Sequence, residues 1–378
     1  MRVEPFTLPV HADEAAWIRE RVAAYRFFDE PVDAGWAYGA NQTYLRTLRD
    51  YWLHGFDWPS AVAALQRHPH FRVEAEPGLR LHCIHRRSSR PGARPLLIAH
   101  GWPGSIVEFD ALIDRLAEPE AEDAPAFHVV APSLAGYAWS DKPASPIGPR
   151  RMAALYAGLM RALGYDRFLL QGGDWGCIIG GWLGLDSPAV EGLHLSGYGL
   201  RSADLHPTSP EEAAWLQQTQ QRRERETAYL QLQATKPQSL AYAMMDSPMG
   251  VAAWISEKFA GWSDTGDTRH GIGAPPFSLD QMLTNIMIYL TTRSFATATW
   301  IYRGRLDEGL TIPEGRRIEV PTAVAAFPRD LLAFPPRAMV ERGYNVVRYT
   351  SMPRGGHFAS LEEPELFLAD LRDFARSV

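Results

Sequence analysis

RFLLQGGDWG, residues 167–176, has the pattern of a buried strand that runs directly into the start of a helix. The run RFLLQ is short and largely apolar, which is typical of a strand inside a parallel sheet. A helix is predicted from Gly176 to about Leu185. Gly172 and Gly176 flank the corner, where small residues are needed because strand and helix approach closely in a tight turn. The stretch therefore predicts a strand–turn–helix corner with Asp174 at its apex.

Strands and helices alternate on both sides of this corner. The predicted strands cover residues 79–86, 96–100, 127–134, 167–174, 190–198, 320–328 and 345–353. The predicted helices between and after them cover residues 105–118, 150–164, 176–185, 336–342 and 362–376. This alternation predicts a mostly parallel central sheet with right-handed crossovers and helices on its faces.

Two parts of the chain depart from the alternation and are predicted to be helical. Helices are predicted in the first part over 12–28, 41–53 and 60–67, and in the second over 210–233 and 278–303, with a Gly/Pro/Asp-rich loop over 261–276. The second part should lie above the carboxyl ends of the strands, where such sheets bind ligands. The expected domains are an N-terminal extension (1–75), the first part of the core (76–199), a helical lid (200–305) and the second part of the core (306–378).

Composition and charge restrict the class of protein. The chain has 378 residues, of which 46% are hydrophobic and 22% charged, as in globular proteins. The net charge of −6 gives no electrostatic reason for a nucleic acid or an anionic membrane as partner. Cys83 and Cys177 show no metal-ligand or CxxC spacing, which favours a reducing compartment. The amino end has no apolar signal region. We therefore expect a cytoplasmic protein without a membrane anchor.

Asp174 is the candidate nucleophile. Gly172-x-Asp174-x-Gly176 has the spacing of a nucleophile elbow in which Asp replaces the usual Ser. Taken alone, GGDWG would favour Asp174 as the N-cap of the next helix, and only the other motifs shift the interpretation to a nucleophile. A carboxylate nucleophile attacks an sp³ carbon and forms an alkyl ester, whereas a serine attacks an acyl carbon. The residue type therefore disfavours serine esterase or peptidase activity.

His357 and Asp330 are the candidate base and acid. His357 stands in SMPRGGHFASLEEPE, after a strand and a glycine pair and before the last helix. Asp330 directly follows the strand VPTAVAAFP, 27 residues before His357. The order nucleophile, acid, histidine suits a parallel sheet with an elbow. Asp330 would orient the imidazole, and His357 would take a proton from the water that attacks the ester. Either residue could instead belong to an ordinary loop or turn.

LLIAHGWPGS places a turn directly after a core strand. The backbone N–H of Trp102 could pair with the N–H of Trp175, just after the nucleophile, to form an oxyanion hole. The run Gly-Trp-Pro-Gly could also be a plain turn. Its place in the order of elements favours the oxyanion hole.

Together these motifs resemble the microsomal-type epoxide hydrolases, a family that includes insect juvenile-hormone hydrolases and bacterial and fungal members. HGWPGS, GGDWG, TKPQSLAYAMMDSPMGVAAWISEKF and RGGHFASLEEPELF are similar to that family nearly word for word, and WLHGFDWPSAVAALQRHPHF resembles its leading domain. The match spans nearly the whole chain. The resemblance implies an α/β-hydrolase fold with an inserted helical lid and an N-terminal helical extension. It also implies hydrolysis of an epoxide to a vicinal diol through an ester on the aspartate.

The resemblance further implies two lid tyrosines that donate to the epoxide oxygen. They correspond here to Tyr229 in ETAYLQLQATKP and Tyr302 in TWIYRGRL. An epoxide opens to an alkoxide, which is a poor leaving group, so hydroxyl donors must stabilise it as the C–O bond breaks. Tyr242 and Tyr289 also lie in the lid, and any of the four could be an ordinary core or rim aromatic.

The chain departs from the family at three points. Mammalian members carry Glu where this chain has Asp330, and their membrane location does not transfer to this chain. PSLAGYAWS also differs from the usual PSxPGYGxS. Activity is expected to survive these changes.

Two alternative functions stay open. One is a haloalkane dehalogenase, in which Trp175 would bind the halide; the other is a catalytically silent binding protein. We expect no metal and no organic cofactor. The expected substrate is a small apolar epoxide because the lid is rich in large apolar side chains, including Trp215, Met244, Met249, Trp254, Trp262 and Met282. Most of these side chains could equally form the core of the lid. A homodimer is left open.

Overall fold

The computed structural model describes residues 2–265 and 275–378, so most of the predicted Gly/Pro/Asp-rich loop lies outside the described residues. Within the described part, nine strands form one sheet in the order β1-β2-β3-β5-β4-β6-β7-β8-β9. The strands are β1 Val3–Pro5, β2 His70–Glu76, β3 Leu79–Arg86, β4 Arg94–Ala99, β5 Phe127–Pro132, β6 Phe168–Gly172, β7 Val190–Leu195, β8 Ile318–Ala326 and β9 Tyr344–Ser351.

The sheet is antiparallel at one end and parallel through the rest. Strands β1, β2, β3 and β5 pair antiparallel, whereas β5, β4, β6, β7, β8 and β9 form a continuous parallel series. The central parallel strands β4, β6 and β7 are almost wholly buried, as expected where helices cover both faces of the sheet. The predicted mostly parallel sheet is therefore confirmed.

The sequence reading missed the first two strands of the sheet. β1 has three residues, which is too short to show a period of two. β2, with the sequence HFRVEAE, does alternate, and the turn at Gly78 leads it into β3 as a hairpin. The alternation in β2 was therefore a usable signal that the sequence analysis did not weigh.

Sixteen α-helices are present in the described residues. They are α1 Ala12–Ala24, α2 Gln42–His54, α3 Trp58–Leu65, α4 Ile113–Ala117, α5 Pro149–Ala162, α6 Trp175–Asp186, α7 Pro210–Glu226, α8 Ala228–Thr235, α9 Pro237–Asp246, α10 Pro248–Trp262, α11 Leu279–Thr291, α12 Phe295–Ala298, α13 Trp300–Glu308, α14 Arg337–Glu341, α15 Ala359–Glu362 and α16 Pro364–Ser377. None of the helices described is long and apolar enough to cross a membrane.

The helix predicted over 105–118 is divided in the structure. Residues Ile106–Phe109 form a 3₁₀ turn, and α4 begins only at Ile113. Ser105 caps the turn, since its Oγ accepts a hydrogen bond from the Val107 N–H at 3.3 Å. Short-range bonds of the i→i+3 type, such as Leu112 N–H to the Phe109 carbonyl at 2.8 Å, tighten the chain here in place of α-helical bonds.

The helices α7 to α13 lie between β7 and β8 and form the lid. The structure divides the two helices predicted there and adds α9 and α10, which the sequence reading left unassigned. Pro237 and Pro248 start these two helices, and proline favours the first turn because its missing N–H needs no partner there. The N-terminal helices α1, α2 and α3 pack against α10 and α11. The lid is therefore held between the sheet and the N-terminal helices.

Candidate active site

Asp174 occupies the corner between β6 and α6. Its backbone lies at φ 47° and ψ −120°, a strained conformation for a residue with a side chain. A Cβ on Gly172 would approach the Gly176 carbonyl oxygen to 2.4 Å, and one on Gly176 would approach the Ala99 carbonyl oxygen to 2.1 Å. The two glycines therefore permit the close approach that the corner requires. The Asp174 side chain makes no capping bond to α6 and instead accepts a hydrogen bond from the loop after β4.

The loop after β4 meets the Asp174 carboxylate. The backbone N–H of Trp102 donates to Asp174 Oδ1 at 2.8 Å. Trp175 is the first residue of α6, so its N–H is one of the four that have no partner inside the helix. Asn285 Nδ2 and Tyr289 Oη hold the loop in place by donating to the carbonyls of Pro103 and Gly104, at 2.8 and 2.7 Å. One of the two expected oxyanion donors thus already contacts the carboxylate.

His357 bridges two carboxylates. Its Nδ1 lies 2.5 Å from Asp330 Oδ1, and its Nε2 lies 3.4 Å from Asp174 Oδ2. The His357 backbone N–H donates to the Trp262 carbonyl at 2.8 Å, which anchors the loop to the lid. Burial lowers the pKa of His357, but the charges of Asp330 and Asp174 outweigh it and raise the pKa well above its usual value. The sequence-predicted base and acid are therefore brought together with Asp174.

Tyr229 on α8 and Tyr302 on α13 face each other across the lid side of the same site. Their ring centroids are 5.9 Å apart, and the Tyr302 ring lies 4.8 Å from the Trp175 ring. Tyr229 also stacks on the Trp102 ring at 5.1 Å. Burial is the main cause that raises the pKa of both phenols. The charge of Asp174 raises the pKa of Tyr229 further, and the neighbouring Tyr229 raises that of Tyr302 further. Both groups therefore stay protonated at neutral pH and remain hydrogen-bond donors.

The other two lid tyrosines are placed differently. Tyr242 is 77% exposed, and Tyr289 is buried with its hydroxyl committed to the Gly104 carbonyl. Neither lines the cavity that holds Asp174.

That cavity has a volume of about 130 Å³ and lies between the sheet and the lid. Six of the seven predicted site residues line it: Asp174, Trp175, Tyr229, Tyr302, Asp330 and His357. Trp102, the seventh, is fully buried and reaches Asp174 through its backbone N–H. Apolar neighbours such as Ile178 and Leu230 form part of the wall. The arrangement presents a carboxylate, an imidazole and two neutral phenols to one small space.

Glu108 is a buried titratable group that does not line this cavity but interacts electrostatically with His357 and Asp174, and it was not predicted from the sequence. It lies just after the Trp102 loop, and its Oε1 would clash with a Cβ on Gly104, 1.6 Å away. Burial raises the pKa of Glu108 to about 8, the charge of His357 opposes this, and the charge of Asp174 adds to it. A carboxylate inside the otherwise apolar run SIVEF was the available signal. Within residues 2–265 and 275–378, no cluster of three His, Cys, Asp or Glu side chains is arranged to hold a metal ion.

The sheet order and the strand-to-helix corner after β6 define an α/β-hydrolase fold with an aspartate at that corner. Comparison with known families agrees: residues 94–245 match the α/β-hydrolase fold family, and residues 3–109 match the family described as the epoxide hydrolase N terminus.

Relatives extend this match to the full chain. A putative epoxide hydrolase of Stigmatella aurantiaca is 38% identical over 388 residues, covering 100% of this chain and 85% of the relative. Epoxide hydrolase 1 of Sus scrofa is 34% identical over 407 residues, covering 98% of this chain and 88% of the relative. The Aspergillus niger epoxide hydrolase structure aligns with a TM-score of 0.86 at 29% identity, covering 100% of this chain and 97% of the other. The juvenile hormone epoxide hydrolase structure of Bombyx mori aligns with a TM-score of 0.88 at 28% identity, covering 100% of this chain and 94% of the other. This chain belongs to the epoxide hydrolase family.

Proposed function

We propose that this protein hydrolyses an epoxide to a vicinal diol through a covalent ester on Asp174. Its family membership supports the reaction. The observation that carries the residue roles is the position of the Asp174 carboxylate, with Oδ1 held by the Trp102 N–H and Oδ2 facing His357 in a cavity with two neutral tyrosines.

The first step opens the ring. Tyr229 and Tyr302 hydrogen-bond the epoxide oxygen, and Asp174 attacks a ring carbon in line with the breaking C–O bond. Oδ2 is the attacking atom, since Oδ1 is already engaged by the Trp102 N–H and becomes the ester carbonyl oxygen. The ring oxygen leaves as an alkoxide and takes a proton from a tyrosine.

The second step hydrolyses the ester. The esterified Asp174 carries no charge, so one of the two carboxylates that raise the pKa of His357 is gone. The imidazole then releases its extra proton to solvent and becomes a competent base, and it regains that proton when the Asp174 carboxylate is restored. His357 takes a proton from water, whose oxygen attacks the carbonyl carbon while the backbone N–H groups of Trp102 and Trp175 hold the oxyanion. Collapse returns the proton from His357 to the departing alcohol. The new carboxyl group of Asp174 gives its proton to the tyrosinate left by the first step, which restores both the carboxylate and the tyrosine.

The two tyrosines favour an epoxide over a haloalkane. A halide leaves as a stable anion and needs no proton donor, whereas an alkoxide does. The presence of both neutral phenols in the cavity with Asp174 and His357 also disfavours a silent binding protein. Diol formation measured beside chloride release, on styrene-type, aliphatic and polycyclic epoxides and on haloalkanes, separates the alternatives.

A single turnover in water labelled with heavy oxygen tests the ester. We expect the label in the Asp174 carboxyl group and unlabelled oxygen in the diol. Asp174→Ala should form no adduct, and His357→Ala should accumulate the ester, seen as a mass increase of the protein. Asp123→Ala, which removes an exposed carboxylate, is the matched control. Label that enters the diol and never Asp174 would refute the covalent route.

The remaining assignments belong to the same proposal. We propose that the chain divides into the domains 1–75, 76–199, 200–305 and 306–378. We also propose that the substrate is a small apolar epoxide and that the protein is cytoplasmic. Two buried free cysteines, Cys83 and Cys177, support a reducing compartment. Cell fractionation tests the location, and sedimentation tests the homodimer that the sequence leaves open.

A further inference from the structure

Three arginines line the catalytic cavity beside the reacting groups. Arg201 follows β7, Arg223 lies on α7 and Arg305 lies on α13, and all three are partly buried. Arg305 comes three residues after Tyr302 on the same helix, so the two side chains share the helix face that lines the cavity. We call these three residues the arginine cluster.

The arginine cluster has no carboxylate partner in the described part of the chain. Many other arginines in the described residues are paired: Arg342, for example, lies 2.6 Å from Glu212. Across residues 2–265 and 275–378, none of the three clustered guanidinium groups forms an ion pair or donates a hydrogen bond, and the Nε of Arg305 is buried without a partner. Burial, and then the charge of Arg305, lowers the pKa of Arg223, which shows that the two cations also repel each other.

Partly buried cations without a counter-ion are unfavourable, and a bound anion relieves both the lost hydration and the mutual repulsion. Arginine is the residue type best suited to a carboxylate because its planar guanidinium can form two parallel hydrogen bonds. We propose that the arginine cluster binds a carboxylate carried by the epoxide substrate. This inference rests on the proposed function and adds a carboxylate to the apolar epoxide proposed there.

The position of Asp174 fixes where that carboxylate can lie. Asp174 is itself an anion, so the two like charges must be separated, with the epoxide at Asp174 and the carboxylate at the arginines. Apolar side chains, including Leu230 and Leu332, line the same cavity. An adjoining groove of about 350 Å³ shares Arg201 and Arg223, and its wall combines the apolar Leu205, Trp215 and Leu216 with the polar Thr219 and Gln220. The substrate that fits is an epoxide on an apolar chain that ends in a carboxylate.

A matched pair of substrates tests the inference. Epoxyundecanoate and its methyl ester have the same epoxide and chain and differ in charge. We expect the wild-type kcat/KM to be roughly tenfold higher for the acid, a preference that falls as salt rises. Arg223→Gln and Arg305→Gln should each lower the acid-to-ester ratio of kcat/KM by roughly tenfold. Arg225→Gln removes an exposed charge from α7 outside the cavity and should leave the ratio unchanged.

Binding without turnover gives a second measurement. Undecanoate, which has no epoxide, should inhibit competitively, with an inhibition constant that rises in Arg223→Gln and Arg305→Gln. A wild-type enzyme that prefers the ester, or variants that slow both substrates equally, would overturn the carboxylate subsite. If one of these two outcomes is found and the wild-type enzyme still hydrolyses styrene oxide, the carboxylate subsite is refuted and the proposed function stands. If neither styrene oxide nor either undecanoyl epoxide is hydrolysed, both the function and the subsite are refuted.

Discussion

Glu108→Gln should make this protein more stable, and increasingly so as the pH rises. The pKa of Glu108 is raised from 4.5 to about 8 in the folded state, chiefly by burial. Between these values the folded protein keeps a proton that the unfolded chain loses, so the free energy of unfolding of the wild type falls as the pH rises. Glutamine has nearly the same shape as the protonated side chain but cannot ionise. The variant therefore lacks this loss of stability.

The size of the effect follows from the pKa difference. At about 1.4 kcal/mol per unit, the shift from 4.5 to about 8 corresponds to roughly 3–5 kcal/mol of difference in unfolding free energy. The free energy of unfolding of the variant should equal that of the wild type near pH 4.5 and exceed it by a growing amount as the pH rises. Above about pH 8 the difference should become constant.

Chemical denaturation at several pH values between 4.5 and 9 measures this difference directly. Glu122→Gln, which changes an exposed carboxylate in the same way, is the matched control and should show a flat difference across the range. Comparing variant with wild type at each pH cancels the titration of groups that do not interact with Glu108. A difference for Glu108→Gln that does not change with pH would refute the argument that Glu108 is held protonated.

The remaining predictions concern the tyrosines and the corner. Tyr229→Phe and Tyr302→Phe should each lower kcat/KM for epoxides by roughly 10- to 100-fold while the protein stays folded, whereas Tyr242→Phe, at a side chain 77% exposed, should behave as wild type in the same steady-state assay. Full activity in both single variants and in the double variant would remove the phenols from the mechanism. Gly176→Ala should destabilise the protein by about 1–3 kcal/mol or more, because the new Cβ would lie 2.1 Å from the Ala99 carbonyl oxygen. In Gly173→Ala the new Cβ would meet the Ser196 hydroxyl at 3.4 Å, so this variant should lose less free energy of unfolding in the same denaturation experiment. An equal loss in the two variants would contradict the packing argument.

Local patterns predicted much of the fold from residue 79 onward. The alternation of apolar strands with periodic helices predicted the parallel series of the sheet, which the structure confirms. The corner at Asp174 was predictable because its glycines lie within two residues of it and respond to a purely local requirement for close approach. Family resemblance supplied Tyr229 and Tyr302, which no period or spacing identifies.

The sequence by itself thus determined the order of elements and the residue types at each turn, since these depend on neighbours along the chain. Only the tertiary structure brought His357 to 2.5 Å from Asp330 and to 3.4 Å from Asp174, and turned Tyr229 rather than Tyr242 into the cavity. It also decided the burial that holds the proton on Glu108. Distances and burial of this kind arise from the packing of segments far apart in the chain, and short-range patterns do not encode them.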